Sequence, residues 1–191
     1  MSLCSRNQAN WAVSFLAVLT YGAVPVPLMH EFKPSNIHHL VNHSESKVLF
    51  VDEVIWENVV ESEMPELQAI IQVNTFKLLY AANDRITEAR ARLNELFGKK
   101  YPMEFTPESI SYYEDQPEEL AIINYTSGTT SAPKGVMLRY ECVSENVAFG
   151  QKRLPAYPGD TIVSMLPMAH MYGMMFELIY PICGGASVYY L

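Results

Sequence analysis

The chain has 191 residues, enough for one domain with a real core, and 49% hydrophobic against 18% charged residues excludes a disordered polypeptide. The net charge of −8, from 13 Lys+Arg against 21 Asp+Glu, repels phosphate backbones, and no broad basic patch offsets it, so nucleic-acid binding is excluded. Three widely spaced cysteines, Cys4, Cys142 and Cys183, make neither a zinc set nor a disulfide framework and point to reduced thiols in a cytosolic protein.

In chain order, residues 1–3 read as a start added in cloning, ahead of a helix over 8–22. Ser14, Thr20 and Gly22 interrupt the apolar run 11–28, and Pro25 and Pro27 break its end, so it suits a buried helix better than a signal or spanning segment. Trp11, Phe15, Val18 and Leu19 share one helical face. A short strand over 24–26 follows, then a helix opened by Pro34 with Ile37, Leu40 and Val41 as its apolar face. A buried strand at 47–51, a helix-like stretch to about 61 and a strand at 69–73 complete an alternation typical of βαβ units in a largely parallel sheet flanked by helices.

Residues 83–97 predict an amphipathic helix with Ile86, Leu93, Leu96 and Phe97 inward, Glu88 and Arg92 outside, and Gly98 as its stop. The acidic stretch 114–119 reads as a loop. Beyond it come a strand at 120–125, a loop at 126–135, a strand at 136–138, a helix at 140–153, an extended segment at 161–165, a helix at 171–182 and a strand at 186–190. That final strand has nothing after it to continue the sheet, and the chain opens on a core helix. Residues 1–191 therefore read as a single α/β domain incomplete at both ends.

The loop carries the chemistry. In the string YTSGTTSAPKG at 125–135, the hydroxyls of Thr126, Ser127, Thr129 and Thr130 gather around Gly128, and Lys134 follows Pro133. Glycine lets backbone N–H groups approach an anion, hydroxyls donate to phosphate oxygens, and the ammonium offsets their charge. Triphosphate binding suits these parts, and a polar hairpin between two strands suits them as well. A Walker-type loop is excluded, because Pro133 stands where a glycine would precede the lysine and a strand follows in place of a helix.

This string resembles the phosphate-binding signature of the adenylate-forming (AMP-binding) superfamily: acyl-CoA synthetases, non-ribosomal-peptide adenylation domains and beetle luciferases. A second resemblance lies in LPMAHMYG at 166–173, and a softer one in the segment 10–27. Together they cover nearly the whole chain, strongly over 8–51 and 119–191, and look nearest to bacterial long-chain fatty-acid–CoA ligases. The resemblance implies part of the large N-terminal domain of an enzyme that joins a fatty acid to ATP as acyl-adenylate, releases pyrophosphate and transfers the acyl group to coenzyme A. It implies ATP, Mg²⁺ and coenzyme A as cofactors or substrates. Thr126, Ser127, Gly128, Thr129, Thr130 and Lys134 would line the β- and γ-phosphates, with no single hydroxyl assigned to the metal. Ser131 stands where the family usually has glycine; if a positive φ is needed there, serine costs on the order of 1 kcal/mol.

His170 stands at a strand-to-helix junction, where an imidazole can orient a carboxylate, and a helix-capping or core histidine fits the same position. The resemblance places His170 and Tyr172 beside the acyl-adenylate pocket, with Met168, Met171, Met174, Met175 and Phe176 as an adaptable apolar wall or as core. His39 and His43 stand one helical turn apart without a third ligand, which disfavours a metal. By analogy, the magnesium-binding Glu, the ribose-gripping Asp and the mobile C-terminal domain with its catalytic Lys lie beyond Leu191. No catalytic residue is expected within the chain, and the polypeptide alone is expected to be inactive. An adenylating enzyme for an amino or aryl acid, or a non-catalytic nucleotide-binding scaffold with a relic loop, remains open. The expected setting is cytoplasmic, with membrane association of the full enzyme left open and no anchor in the segment.

Overall fold

The computed structural model describes residues 1–126 and 133–191, and its main sheet contains an interior strand that hydrophobic periodicity does not announce. Residues Ser2–Cys4 form a strand (β1) where the sequence predicts only a lead-in to the first helix. They pair in parallel with Val26–Pro27 (β2) on one side and Val48–Val51 (β3) on the other. Ser2, Leu3 and Cys4 are wholly buried. Three residues are too few to show a period of two; both neighbours come from later in the chain.

Between β1 and β2 runs α1, Ala9–Thr20, whose buried face holds Trp11, Phe15 and Val18, with the Trp11 and Phe15 rings stacked 5.2 Å apart. It ends as a Schellman turn: Gly22 N–H donates to Leu19 O and Ala23 N–H to Val18 O. Gly22 has φ +82°, and a Cβ there would run into the Tyr113 ring, so conformation and space both demand glycine. Pro34–His43 (α2) follows β2 and buries Ile37, Leu40 and Val41 as the sequence predicts. The helix expected up to residue 61 shortens to Glu53–Trp56 (α3), capped by the Asp52 carboxylate accepting from Ile55 N–H at 2.9 Å.

Ala69–Gln72 (β4) pairs in parallel with β3, and Leu78–Ala81 (β5) closes the sheet antiparallel to β4, giving the order β2-β1-β3-β4-β5. Leu120–Thr126 (β6) and Lys134–Arg139 (β7) form an antiparallel hairpin. Thr161–Ser164 (β8) and Ser187–Tyr190 (β9) pair in parallel, and Tyr140–Arg153 (α6) links the two pairs. Four of these six pairings are parallel, so the largely parallel α/β architecture stands. Alternation along each strand feeds two cores: Cys4, Leu49 and Val51 face one cluster with α2, while Leu3 and Phe50 face the other with α1.

The amphipathic helix expected at 83–97 is corrected. It is two helices, Asp84–Ala91 (α4) and Leu93–Lys100 (α5), broken at Arg92, and neither buries a residue. Leu93, Leu96 and Phe97 are 41–49% exposed. Two local effects replace core packing. Arg92 and Lys99 both pair with Glu95, and Phe97 gathers with Tyr101 and Phe105 into a surface aromatic trio. Gly98 lies inside α5 and stops nothing. Among the described residues no helix is long and apolar enough to cross a membrane.

Candidate active site

The strand β6 carries the apolar run Ala121-Ile122-Ile123, then Asn124, Tyr125 and Thr126 at its carboxyl end. Thr126 and Lys134 face each other in register across the hairpin, both exposed. Their side chains therefore stand at the two gateposts of the candidate phosphate loop. Ser127, Gly128, Thr129, Thr130 and Ser131 lie outside the described residues.

Tyr125 is 5% exposed and is tied to α2: its hydroxyl lies 2.6 Å from His43 Nδ1. Burial pushes its phenol above the ordinary value, so it is a neutral hydroxyl at physiological pH. This bond anchors the His43 ring between α2 and β6. Among the described residues no group of three His, Cys, Asp or Glu side chains is placed to hold a metal. His38 accepts from Val60 N–H at 2.9 Å, which gives it a structural role.

The second motif leaves β8 as an irregular turn held by side chains. Met165 and Leu166 N–H donate to Glu177 Oε2, both at 2.9 Å. Asn7 Nδ2 donates to Leu166 O at 2.7 Å and to Ser164 Oγ at 3.1 Å, while Asn7 Oδ1 accepts from Met168 N–H at 2.9 Å. Asn124 Nδ2 donates to Ala169 O at 2.9 Å. The turn enters a π-helical segment, Gly173–Ile179, followed by Tyr180–Cys183 (α7). A Cβ on Gly173 would lie 2.5 Å from Pro167 O, so only glycine lets the helix seat against the turn.

His170 is exposed at the end of this turn, and its Nδ1 accepts from Tyr172 N–H at 3.3 Å. In the neutral ring the proton then sits on Nε2, leaving one outward donor. A cavity of about 300 Å³ lies between the two motifs. Its walls are Met29, Glu31 and Phe32 after β2, Asn124, Tyr125 and Thr126 on β6, and Ala169, His170 and Met171 on the turn.

Of the residues singled out from the sequence, Thr126 and His170 thus share one cavity, with Lys134 opposite Thr126. Tyr172 is not in that lining; half exposed, it packs on Phe176 with ring centroids 4.9 Å apart. Met168, Met174 and Met175 are core, and Met171 alone of the methionines proposed as a wall reaches the cavity. Sequence reasoning missed Asn7, Asn124 and Glu177. A carboxamide inside an apolar strand was the signal available for Asn124.

The AMP-binding enzyme family model matches residues 1–191. The chain is 29% identical to long-chain-fatty-acid–CoA ligase 5 of Rattus norvegicus, covering 97% of this chain and 28% of that protein. It is 27% identical to the peroxisomal long chain acyl-CoA synthetase 6 of Arabidopsis thaliana, covering 96% of this chain and 26% of that one. The chain therefore spans less than a third of these relatives' length. Among solved structures, the anthranilate CoA ligase AuaEII in complex with anthranoyl-AMP superposes with a TM-score of 0.76 at 21% identity, covering 98% of this chain and 33% of that one.

Proposed function

From the premise that the chain belongs to the AMP-binding enzyme family, we propose that it forms the ATP-holding part of an acid–thiol ligase that activates a long-chain fatty acid. One observation carries this reading. Two motifs some forty residues apart in sequence border a single cavity and are joined by the Asn124–Ala169 hydrogen bond. The fatty acyl preference is supported by the names of the relatives at 27–29% identity.

In the reaction, a carboxylate oxygen attacks the α-phosphorus of ATP, the bond to the β-phosphate breaks, and pyrophosphate leaves with the electron pair. The coenzyme A thiol, losing its proton, then attacks the acyl carbon and AMP departs. We assign Thr126, Ser127, Gly128, Thr129 and Thr130 to donors around the β- and γ-phosphates. Lys134, on the facing strand, offsets charge that moves onto the leaving pyrophosphate. His170 offers its Nε2–H to the reacting carboxyl oxygens from the opposite wall, with Tyr172 on the far side of the turn steadying that ring through its backbone N–H. Hydroxyls and phosphate oxygens are the hard ligands magnesium takes, so the donor set fits that ion; when bound with ATP it would neutralise phosphate charge.

The test uses the full-length protein with MgATP and a fatty acid. Pyrophosphate release that depends on the acid, followed by thioester formation on adding coenzyme A, is expected. Nucleotide binding without any acid-dependent pyrophosphate would replace this proposal with the scaffold alternative. Turnover restricted to amino or aryl acids would replace the substrate class.

A further inference from the structure

Asn124 is 3% exposed in a strand whose preceding residues Ala121 and Ile122 are wholly buried. Burying a carboxamide costs free energy unless it is hydrogen-bonded, and an aliphatic side chain would fill the same space without that cost. What the amide holds is the carbonyl of Ala169. That carbonyl belongs to the same planar peptide unit as the His170 N–H, which donates to Pro167 O at 2.9 Å. Both polar groups of the unit are therefore pinned, and with them the direction in which His170 leaves the backbone. Two residues further along β6 stands Thr126, the first gatepost of the candidate phosphate loop.

We propose that Asn124 is a positioning residue that locks the His170 turn to the strand feeding the phosphate loop, so that the two walls of the cavity keep one spacing during adenylate formation. This rests on the function proposed above. Asn7, just after β1, and Glu177, in the π-helical segment, hold the remainder of the turn, so Asn124 is the one side chain of the three that reaches it from the loop-bearing strand.

The test is a double-mutant cycle in the full-length protein between Asn124→Ala and His170→Ala, read as acid-dependent pyrophosphate release, with thermal melts as the folding control. Asn124→Ala alone is expected to lower kcat by about 10–100-fold with the KM for ATP changed less than about threefold, because a displaced turn misaligns reacting groups without removing nucleotide contacts. In the His170→Ala background the same substitution is expected to cost less than about threefold. Asn124→Leu keeps the branched shape at slightly larger volume, drops the donor and serves where Asn124→Ala does not fold. Equal losses in both backgrounds, or a folded Asn124→Leu with wild-type kcat, would overturn the inference. A wild-type protein that releases no acid-dependent pyrophosphate removes the proposed function, and this inference with it.

Discussion

Replacing Gly173 by alanine tests how closely the His170 turn is fitted. The added Cβ would sit 2.5 Å from Pro167 O, 3.1 Å from Pro167 C and 3.2 Å from Leu166 O, all backbone atoms that no rotamer change can move aside. Restoring ordinary contact requires the turn or the π-helical segment to shift by about 1 Å, an overpacking strain of roughly 1–3 kcal/mol. The turn resists, because Glu177, Asn7 and Asn124 hold its backbone. A 1 Å displacement at His170 is expected to lower acid-dependent pyrophosphate release by about 100-fold. Gly98→Ala is the control: nothing lies within 4 Å of a Cβ there, and alanine in an exposed helix interior is expected to stabilise by up to about 1 kcal/mol. Urea denaturation gives the stability of each variant, and the pyrophosphate assay, run on the full-length protein under the function proposed above, gives its activity. A Gly173→Ala protein with wild-type stability and rate would show that the turn yields freely, and the reasoning would fail.

Other expectations follow from single bonds and charges. Tyr125→Phe removes the hydroxyl bonded to His43 and should cost about 1 kcal/mol by urea denaturation, with the fold intact. Lys134→Ala should lower pyrophosphate release by roughly 10–1,000-fold while the melting curve barely changes, since the side chain is exposed and its proposed role is electrostatic. Hydrogen bonds from Arg92 and then Lys99 lower the Glu95 pKa from 4.5 to about 2. A depressed carboxyl pKa means its pairing stabilises the fold above the unfolded value and is lost as pH falls from about 4.5 toward 2; an NMR titration of Glu95 checks the midpoint.

What could be read from the residues divides along physical lines. The helix at 34–43 was legible because a proline start and the apolar face of Ile37, Leu40 and Val41 are local signals. The strand β1 was not, since its two partners belong to other parts of the chain. The 83–97 segment shows the reverse error: a periodic apolar stripe declares a face without declaring anything to cover it, and α5 was left with Leu93, Leu96 and Phe97 at the surface. At the site, both motifs were legible as strings, and their meeting at one cavity was not. That meeting depends on Asn7, Asn124 and Glu177, single polar side chains whose partners lie on other elements or other turns and whose spacing carries no period.

Asn7 reaches Leu166 across 159 positions of chain. A clasp of that span closes only when the two ends of the described polypeptide have come together, which places its formation late on any folding route dominated by nearer contacts. The converse holds on warming. If the stretch after β8 loosens before the five-stranded sheet, the imidazole loses its bearing while most of the secondary structure survives, so the cavity can lose its shape well before the protein melts.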